Sequence, residues 1–304
     1  MAMPGPSGSA AVAAPAAAAA AATPRRRLRV RLGRPWLALP LLAFFLVFVA
    51  LPVLVLVAVG ISGPDGLTLV HVHRFLTDGL SLPVLGRTLM LGLATAAVAL
   101  VLGYPLALLF VSASPRLQRL LILLIVLPLL TSAVVRTFAW VVILGRQGLV
   151  NETLTGLGLV GGPVALLYTE PMLILTLAQI ELPLMTLPII SALSAIDPRL
   201  TEASAALGAG RWRTLLLVVV PLSLPGVIAG VLLVFAAACG ALVTQSIVGG
   251  GRLLFMPMYI YQQGMQGQNW PFAATISLML LISVLAVVAL LNMAGRLATR
   301  HLHV

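Results

Sequence analysis

One carboxylate stands out by its position. Glu181, in Gln179-Ile180-Glu181-Leu182-Pro183, lies near the middle of a long apolar run. An ionised carboxylate at the centre of a bilayer costs about 2.5–3.5 kcal/mol on insertion scales, so it should face a bundle interior or a wet cavity. Two readings stand side by side: a pathway residue that meets a cationic substrate, and a buried carboxyl paired with an Arg or hydrogen-bonded to Gln or Thr. Arg136, in Val135-Arg136-Thr137-Phe138-Ala139-Trp140, is the one basic residue within such a run. It reads either as an anchor that snorkels toward the interface or as a wall of the same path. Trp140 would mark the outer interface. Catalysis is harder to build. His71, His73, His301 and His303 all lie outside the runs and read as solvated, and no HExxH, P-loop or GxSxG is present. The single cysteine, Cys239, reads as a packing residue.

A second informative stretch runs from Asp197 to Pro221. Asp197 before Pro198 is an N-cap with proline at the first helical position. Glu202 is expected near that N-terminus, where the helix dipole favours a carboxylate. Ala203, Ala205 and Ala206 form helix readily and leave a thin surface. Gly208 permits a left-handed turn. Arg211, Trp212 and Arg213 then open a second helix with a bulky, cationic face. A short helix, a break and another helix suit either docking into a cleft of a partner or an ordinary linker.

The elements that must hold these residues follow from composition. The chain has 304 residues, of which 61% are hydrophobic and only 8% charged. Soluble domains carry roughly 25% charge, so a soluble enzyme is excluded and a polytopic helical membrane protein remains. Six apolar runs reach span length: about 36–61, 88–111, 120–144, 172–196, 223–248 and 272–295. They form an all-α membrane domain over 36–295, preceded by a disordered Ala/Pro-rich tail with a basic end (1–35) and followed by a cytoplasmic tail (296–304). Pro52, Pro105, Pro128 and Pro183 fall within runs and predict kinks that neighbouring helices re-satisfy.

Every one of the 18 basic residues is arginine. With the N-terminus in the cytoplasm, thirteen lie inside, including the group from Arg25 to Arg34, and four outside. The positive-inside rule therefore places both termini in the cytoplasm. The net charge of +11 is explained by this anchoring, and nucleic acid is not expected as a partner.

Glu202-Ala203-Ser204, Gly208 six residues after the Glu, and Val220-Pro221 resemble the EAA loop of ABC importer permeases. Ser204 stands where the family has a second Ala, and Val218 and Val220 stand for Ile and Leu. Further segments look like the spermidine/putrescine-type branch: Leu102-Gly103-Tyr104-Pro105-Leu106-Ala107, 135–140, Leu144-Gly145-Arg146-Gln147-Gly148-Leu149-Val150-Asn151, Pro221-Leu222-Ser223-Leu224-Pro225-Gly226 and Gly267-Gln268-Asn269-Trp270-Pro271. The likeness runs from about residue 36 to 295.

The resemblance implies a type I ABC importer permease in a bacterial inner membrane. It would bind no cofactor itself, ATP and Mg being held by a partner ATPase dimer. A second permease subunit, membrane lipid and a periplasmic or extracellular solute-binding protein are the other implied partners. Glu202, Ala203, Ser204, Gly208, Ala209, Arg211 and Arg213 would couple the chain to the ATPase. Glu181, Arg136 and Trp270 are the pathway candidates. Polyamine members often carry Gly-Glu-Phe-Val-Thr-Pro in the fifth span, where this chain has Gly240-Ala241-Leu242-Val243-Thr244-Gln245. Glu181 would supply the acid missing there. A small organic solute is the expected substrate, a polyamine or related amine first, with an amino-acid derivative, an opine or another small solute equally open; an ATP-independent secondary transporter or channel is the rival reading, and it expects further ionisable relays in the spans.

Overall fold

The computed structural model describes residues 39–63 and 66–299. The Ala/Pro-rich tail, the arginines from Arg25 to Arg34, and His301 and His303 lie outside the described residues. The chain divides into two units. The first, ending at Leu51, contributes helix α1 (Leu39–Phe45) and a π turn (Leu46–Ala50), with Phe44 stacked on Phe48 at 4.7 Å.

The second unit is helical apart from one small hairpin. Helix α2 (Leu51–Gly60) leads into strands β1 (Ser62–Gly63) and β2 (Gly66–Leu67), then α3 (Val70–Thr77), α4 (Ser81–Ser112) and α5 (Pro115–Val126). Next come α6 (Ala133–Leu144), α7 (Leu149–Gly156), α8 (Glu170–Ile180) and α9 (Leu182–Ser194). The chain continues through α10 (Pro198–Ala206), α11 (Arg211–Thr214), α12 (Val220–Cys239), α13 (Leu242–Val248), α14 (Met256–Tyr261) and α15 (Trp270–Thr299).

Among the described residues five helical stretches are long and apolar enough to span a membrane, or six if the bent pair α8–α9 counts as one span. Their outward faces are apolar, as at Val101, Val142 and Leu290; lipid, unlike water, accepts such surfaces. The third run departs from the expectation of one helix over 120–144. It is split by a 3-10 turn at Leu127–Leu130 and extended backbone at Thr131, and the span-length stretch starts at Ala133. Pro128 contributes by removing one backbone donor, so the α ladder gives way to the tighter turn, while Leu127 before it stays helical.

The core is where α4, α9 and α12 cross. Ala96, Ala99, Met185, Ile189, Val234 and Phe235 are all buried there. Small residues set the spacing. A Cβ on Gly230 would stand 2.9 Å from the Met185 carbonyl oxygen, and one on Gly226 2.6 Å from that of Pro188. Helices that associate without a hydrophobic driving force need such close backbone approach. Cys239 packs in this core, as its apolar setting predicts.

Candidate functional site

The 197–221 segment folds as a self-contained knuckle. Asp197 Oδ1 accepts from the Arg199 backbone N–H at 2.9 Å, and Pro198 opens α10. At the other end Gly208 has φ +80°, with its N–H donating to the Ala205 carbonyl while Ala209 N–H donates to Ser204. This is the paired-bond cap that a left-handed glycine closes. α11 restarts at Arg211 and runs through a π turn (Leu215–Val219) into α12, so the knuckle is continuous with the fifth span. Ser204 Oγ lies 2.9 Å from Thr214 Oγ1 and fixes α10 against that helix.

The knuckle is presented outward. Glu202, Ala203, Arg211 and Arg213 are exposed and Ala209 half-buried, while Leu207 is 89% and Trp212 78% exposed. Glu202 is not near the helix start as expected. It is the fifth helical residue, past the first turn where the dipole acts. The knuckle thus leaves an apolar pair bare beside an acid and two arginines.

The other candidate residues meet at breaks in two apolar runs. Glu181 is the hinge between α8 and α9, which bend by 49°. Leu184 N–H turns back to the Glu181 carbonyl at 3.0 Å instead of reaching Ile180. Pro183 has no N–H to offer. The freed Ile180 carbonyl is taken by Arg136, whose Nη1 donates to it at 2.9 Å. Arg136 is therefore half-buried and directed into the fold, close enough for its charge to act on Glu181. Among the described residues no hydrogen bond or ion pair engages the Glu181 carboxylate itself. Trp140 is half-buried, and its Nε1–H donates to Gln179 Oε1 at 2.9 Å.

The fifth apolar run, expected as one helix over 223–248, ends its span-length helix at Cys239, and Gly240 and Ala241 separate α12 from α13. Buried Gln245 folds back, its Nε2–H donating to the Ala238 carbonyl at 2.8 Å. Thr137 and Thr244 share a hydrogen bond of 3.0 Å. Consecutive residues of α6, Arg136 and Thr137, thus hold both breaks. Sequence reading marked Arg136 and Glu181 separately and missed Gln179, Thr137 and Thr244; the polar type of these side chains inside apolar runs was the available signal. Trp270 is not part of this group. It is 52% exposed at the start of α15, beside the π turn Gln262–Gln266.

A third polar cluster ties α3 and α4 to α14. Asp78 Oδ2 accepts from Ser81 Oγ at 3.0 Å and from Tyr259 OH at 3.2 Å, and Oδ1 accepts from Leu80 N–H at 3.2 Å. The Leu80 bond first, then those from Ser81 and Tyr259 and the nearby Arg74 charge, hold the carboxyl below the usual aspartate range. The Arg74 guanidinium sits 4.2 Å from the centre of the Phe272 ring. His71 and His73 fall on α3 rather than in an open loop, and His71 Nδ1 is buried without a partner. Among the described residues no three His, Cys, Asp or Glu side chains converge as a metal site.

Five or six span-length apolar helices and an exposed knuckle are features of an inner-membrane permease subunit. Residues 99–299 match the family described as binding-protein-dependent transport system inner membrane component, and the chain belongs to it. It is 32% identical over 265 residues to the spermidine/putrescine transport system permease protein PotB of Haemophilus influenzae, covering 85% of this chain and 92% of that one. To PotB of Escherichia coli K12 it is 31% identical over 248 residues, covering 80% and 90%. In fold it resembles a chain from the crystal structure of a bacterial ABC transporter that imports the acidic polysaccharide alginate, with TM-score 0.70, 21% identity, and coverage of 88% and 98%. The chain is an ABC importer permease, a transport component and not itself catalytic; ATP is bound by a partner ATPase.

Proposed function

We propose that this permease forms half of the transmembrane path for a polyamine such as spermidine or putrescine, or for a related amine. The carrying observation is Glu181: a carboxylate at a break in a span, with no hydrogen bond or ion pair of its own among the described residues and one guanidinium nearby. A site of that kind favours a cation. The likeness to two PotB proteins, named for spermidine and putrescine transport, supports the same substrate class.

In this reading the knuckle 197–221 docks on a cytoplasmic ATPase dimer. Glu202, Ala203, Ser204 and Gly208 shape the docking element, and Arg211 and Arg213 meet acidic groups of the partner. A second permease completes the path, and a solute-binding protein delivers substrate from outside. Both termini are cytoplasmic, in keeping with the arginine bias. Support for the docking role comes from the exposure of Leu207 and Trp212 on a rigid, doubly capped element continuous with a span.

The test is uptake of labelled spermidine by proteoliposomes holding the whole complex, permease pair, ATPase and binding protein, with ATP inside the appropriate compartment. ATP-dependent accumulation is the expected result. Accumulation of another solute with none of spermidine or putrescine would overturn the substrate class and leave the importer assignment standing.

A further inference from the structure

We propose that Arg136 is a resident cation: it occupies, between transport events, the place that a substrate ammonium takes at the Ile180 carbonyl and the Glu181 carboxylate. The inference deepens the cationic-substrate reading above and rests on it.

The chemistry begins with the break. The bend at Glu181 leaves the Ile180 carbonyl without its helical partner, because Leu184 N–H bonds to Glu181 instead. An unpaired carbonyl within a span costs several kcal/mol, so something must donate to it. In this structure that donor is Arg136 Nη1, at 2.9 Å. The guanidinium has five N–H donors. Its Nε is buried with no acceptor, so the arginine is under-satisfied where it stands. Glu181 is adjacent in sequence to that carbonyl, and the same guanidinium is the nearby positive charge that favours its ionised form.

An alkylammonium carries three N–H donors and one charge. It matches what Arg136 supplies here, a donor for Ile180 and a counter-charge for Glu181, without the unused N–H groups. Exchange of one cation for another keeps the local charge balance, which a bare carboxylate in a span could not. An apolar space lies beside the residues that flank the break in the chain, although Ile180, Glu181 and Arg136 do not line it. A cavity of about 140 Å³ is lined by Leu106, Ile125, Pro128, Gln179, Leu182 and Pro183 among others, almost wholly apolar. Gln179, Leu182 and Pro183 flank Glu181 in the chain. Such a wall suits the methylene spacers of an amine, while Gln179 is held by Trp140. The resident cation also keeps the carboxylate from trapping small inorganic cations when no substrate is present.

The experiment compares wild type, Glu181→Gln, Glu181→Asp and Arg136→Gln in the reconstituted complex, with labelled spermidine and saturating binding protein. Glu181→Gln is expected to lower uptake per ATP hydrolysed by about tenfold or more, as loss of one partner from a desolvated charge pair does. Glu181→Asp is expected to retain most uptake. Arg136→Gln is expected to make uptake sensitive to competing potassium, several-fold, where wild type is not. A purely structural role for Arg136 would lower assembly without creating that competition. Wild-type kinetics in Glu181→Gln, or potassium insensitivity in an assembled Arg136→Gln complex, would overturn the proposal. If Glu181→Gln fails to assemble, the Arg136→Gln competition decides alone. Absence of spermidine uptake by the wild-type complex overturns the substrate reading instead, and is distinguished by being seen before any substitution.

Discussion

Thr137 and Thr244 meet through their hydroxyls at 3.0 Å, joining α6 to the segment that follows the break in the fifth apolar run. Both side chains are buried, and Thr137 Oγ1 donates to the Ala133 carbonyl at 2.8 Å. The neighbouring residue, Arg136, holds the break in the fourth span. One turn of α6 therefore sets the relative position of two interrupted helices.

Thr137→Val preserves shape and removes one hydroxyl. It leaves Thr244 without its partner, which costs about 1–3 kcal/mol. The double variant Thr137→Val/Thr244→Val removes both groups and should recover much of that loss. Thermal unfolding of the purified permease in detergent, run as a double-mutant cycle, checks this. Additive losses would show that the hydroxyl pair does not act as a unit.

Gly208 is the next position with a definite expectation. Its φ of +80° is unfavourable for a side chain, although a Cβ would meet open space. Gly208→Val should cost about 1–2 kcal/mol locally and tilt the exposed end of α10. Gly208→Asn, a residue that tolerates this region, should be far milder. Stimulation of ATPase activity by loaded binding protein is the readout: reduced in the valine variant, largely kept in the asparagine variant. Equal behaviour of the two would remove the left-handed turn from the coupling role.

The core crossing gives a steric prediction. A side chain on Gly230 runs into the Met185 backbone, which cannot yield as a flexible side chain would. Gly230→Val should destabilise by about 1–3 kcal/mol, the usual cost of overpacking, or more. The measurement is the melting temperature and the fraction of monodisperse protein. Gly79→Ala, where nothing lies within 4 Å of the added carbon, serves as the control.

Asp78 supplies the pH dependence. Its bonds from Leu80, Ser81 and Tyr259 hold its carboxyl below the usual aspartate range in the folded chain. A depressed carboxyl stabilises the fold fully above its unfolded value, near pH 4, and loses that contribution as pH falls through the folded value. Between pH 5 and pH 8 the contribution should therefore be constant. Asp78→Asn should lower the melting temperature at pH 7, and the gap from wild type should close below about pH 4. A gap that persists unchanged at pH 3 would show that the ionised carboxylate is not what holds α14 to α4.

Much of this protein is fixed locally and was legible. The excess of apolar residues demanded a membrane bundle, because lipid leaves the backbone no partner but its own helix. Asp197-Pro198 and Gly208 are signals written within a few residues of the structures they make. The N-cap bond and the positive φ both follow from side-chain chemistry and the lack of a Cβ. Glu181 announced itself because a charge in an apolar run is costly wherever the helix goes. Its angle did not. The bend frees the Ile180 carbonyl because Leu184 N–H turns to Glu181, and the donor that meets it is Arg136, 44 residues away in the chain. The split of the third run, the pairing of Thr137 with Thr244, and the reach of Tyr259 to Asp78 were likewise decided by packing. Hydrogen bonds between distant segments leave no periodicity in the sequence, since each partner is an ordinary polar residue until the tertiary structure brings the other within about 3 Å.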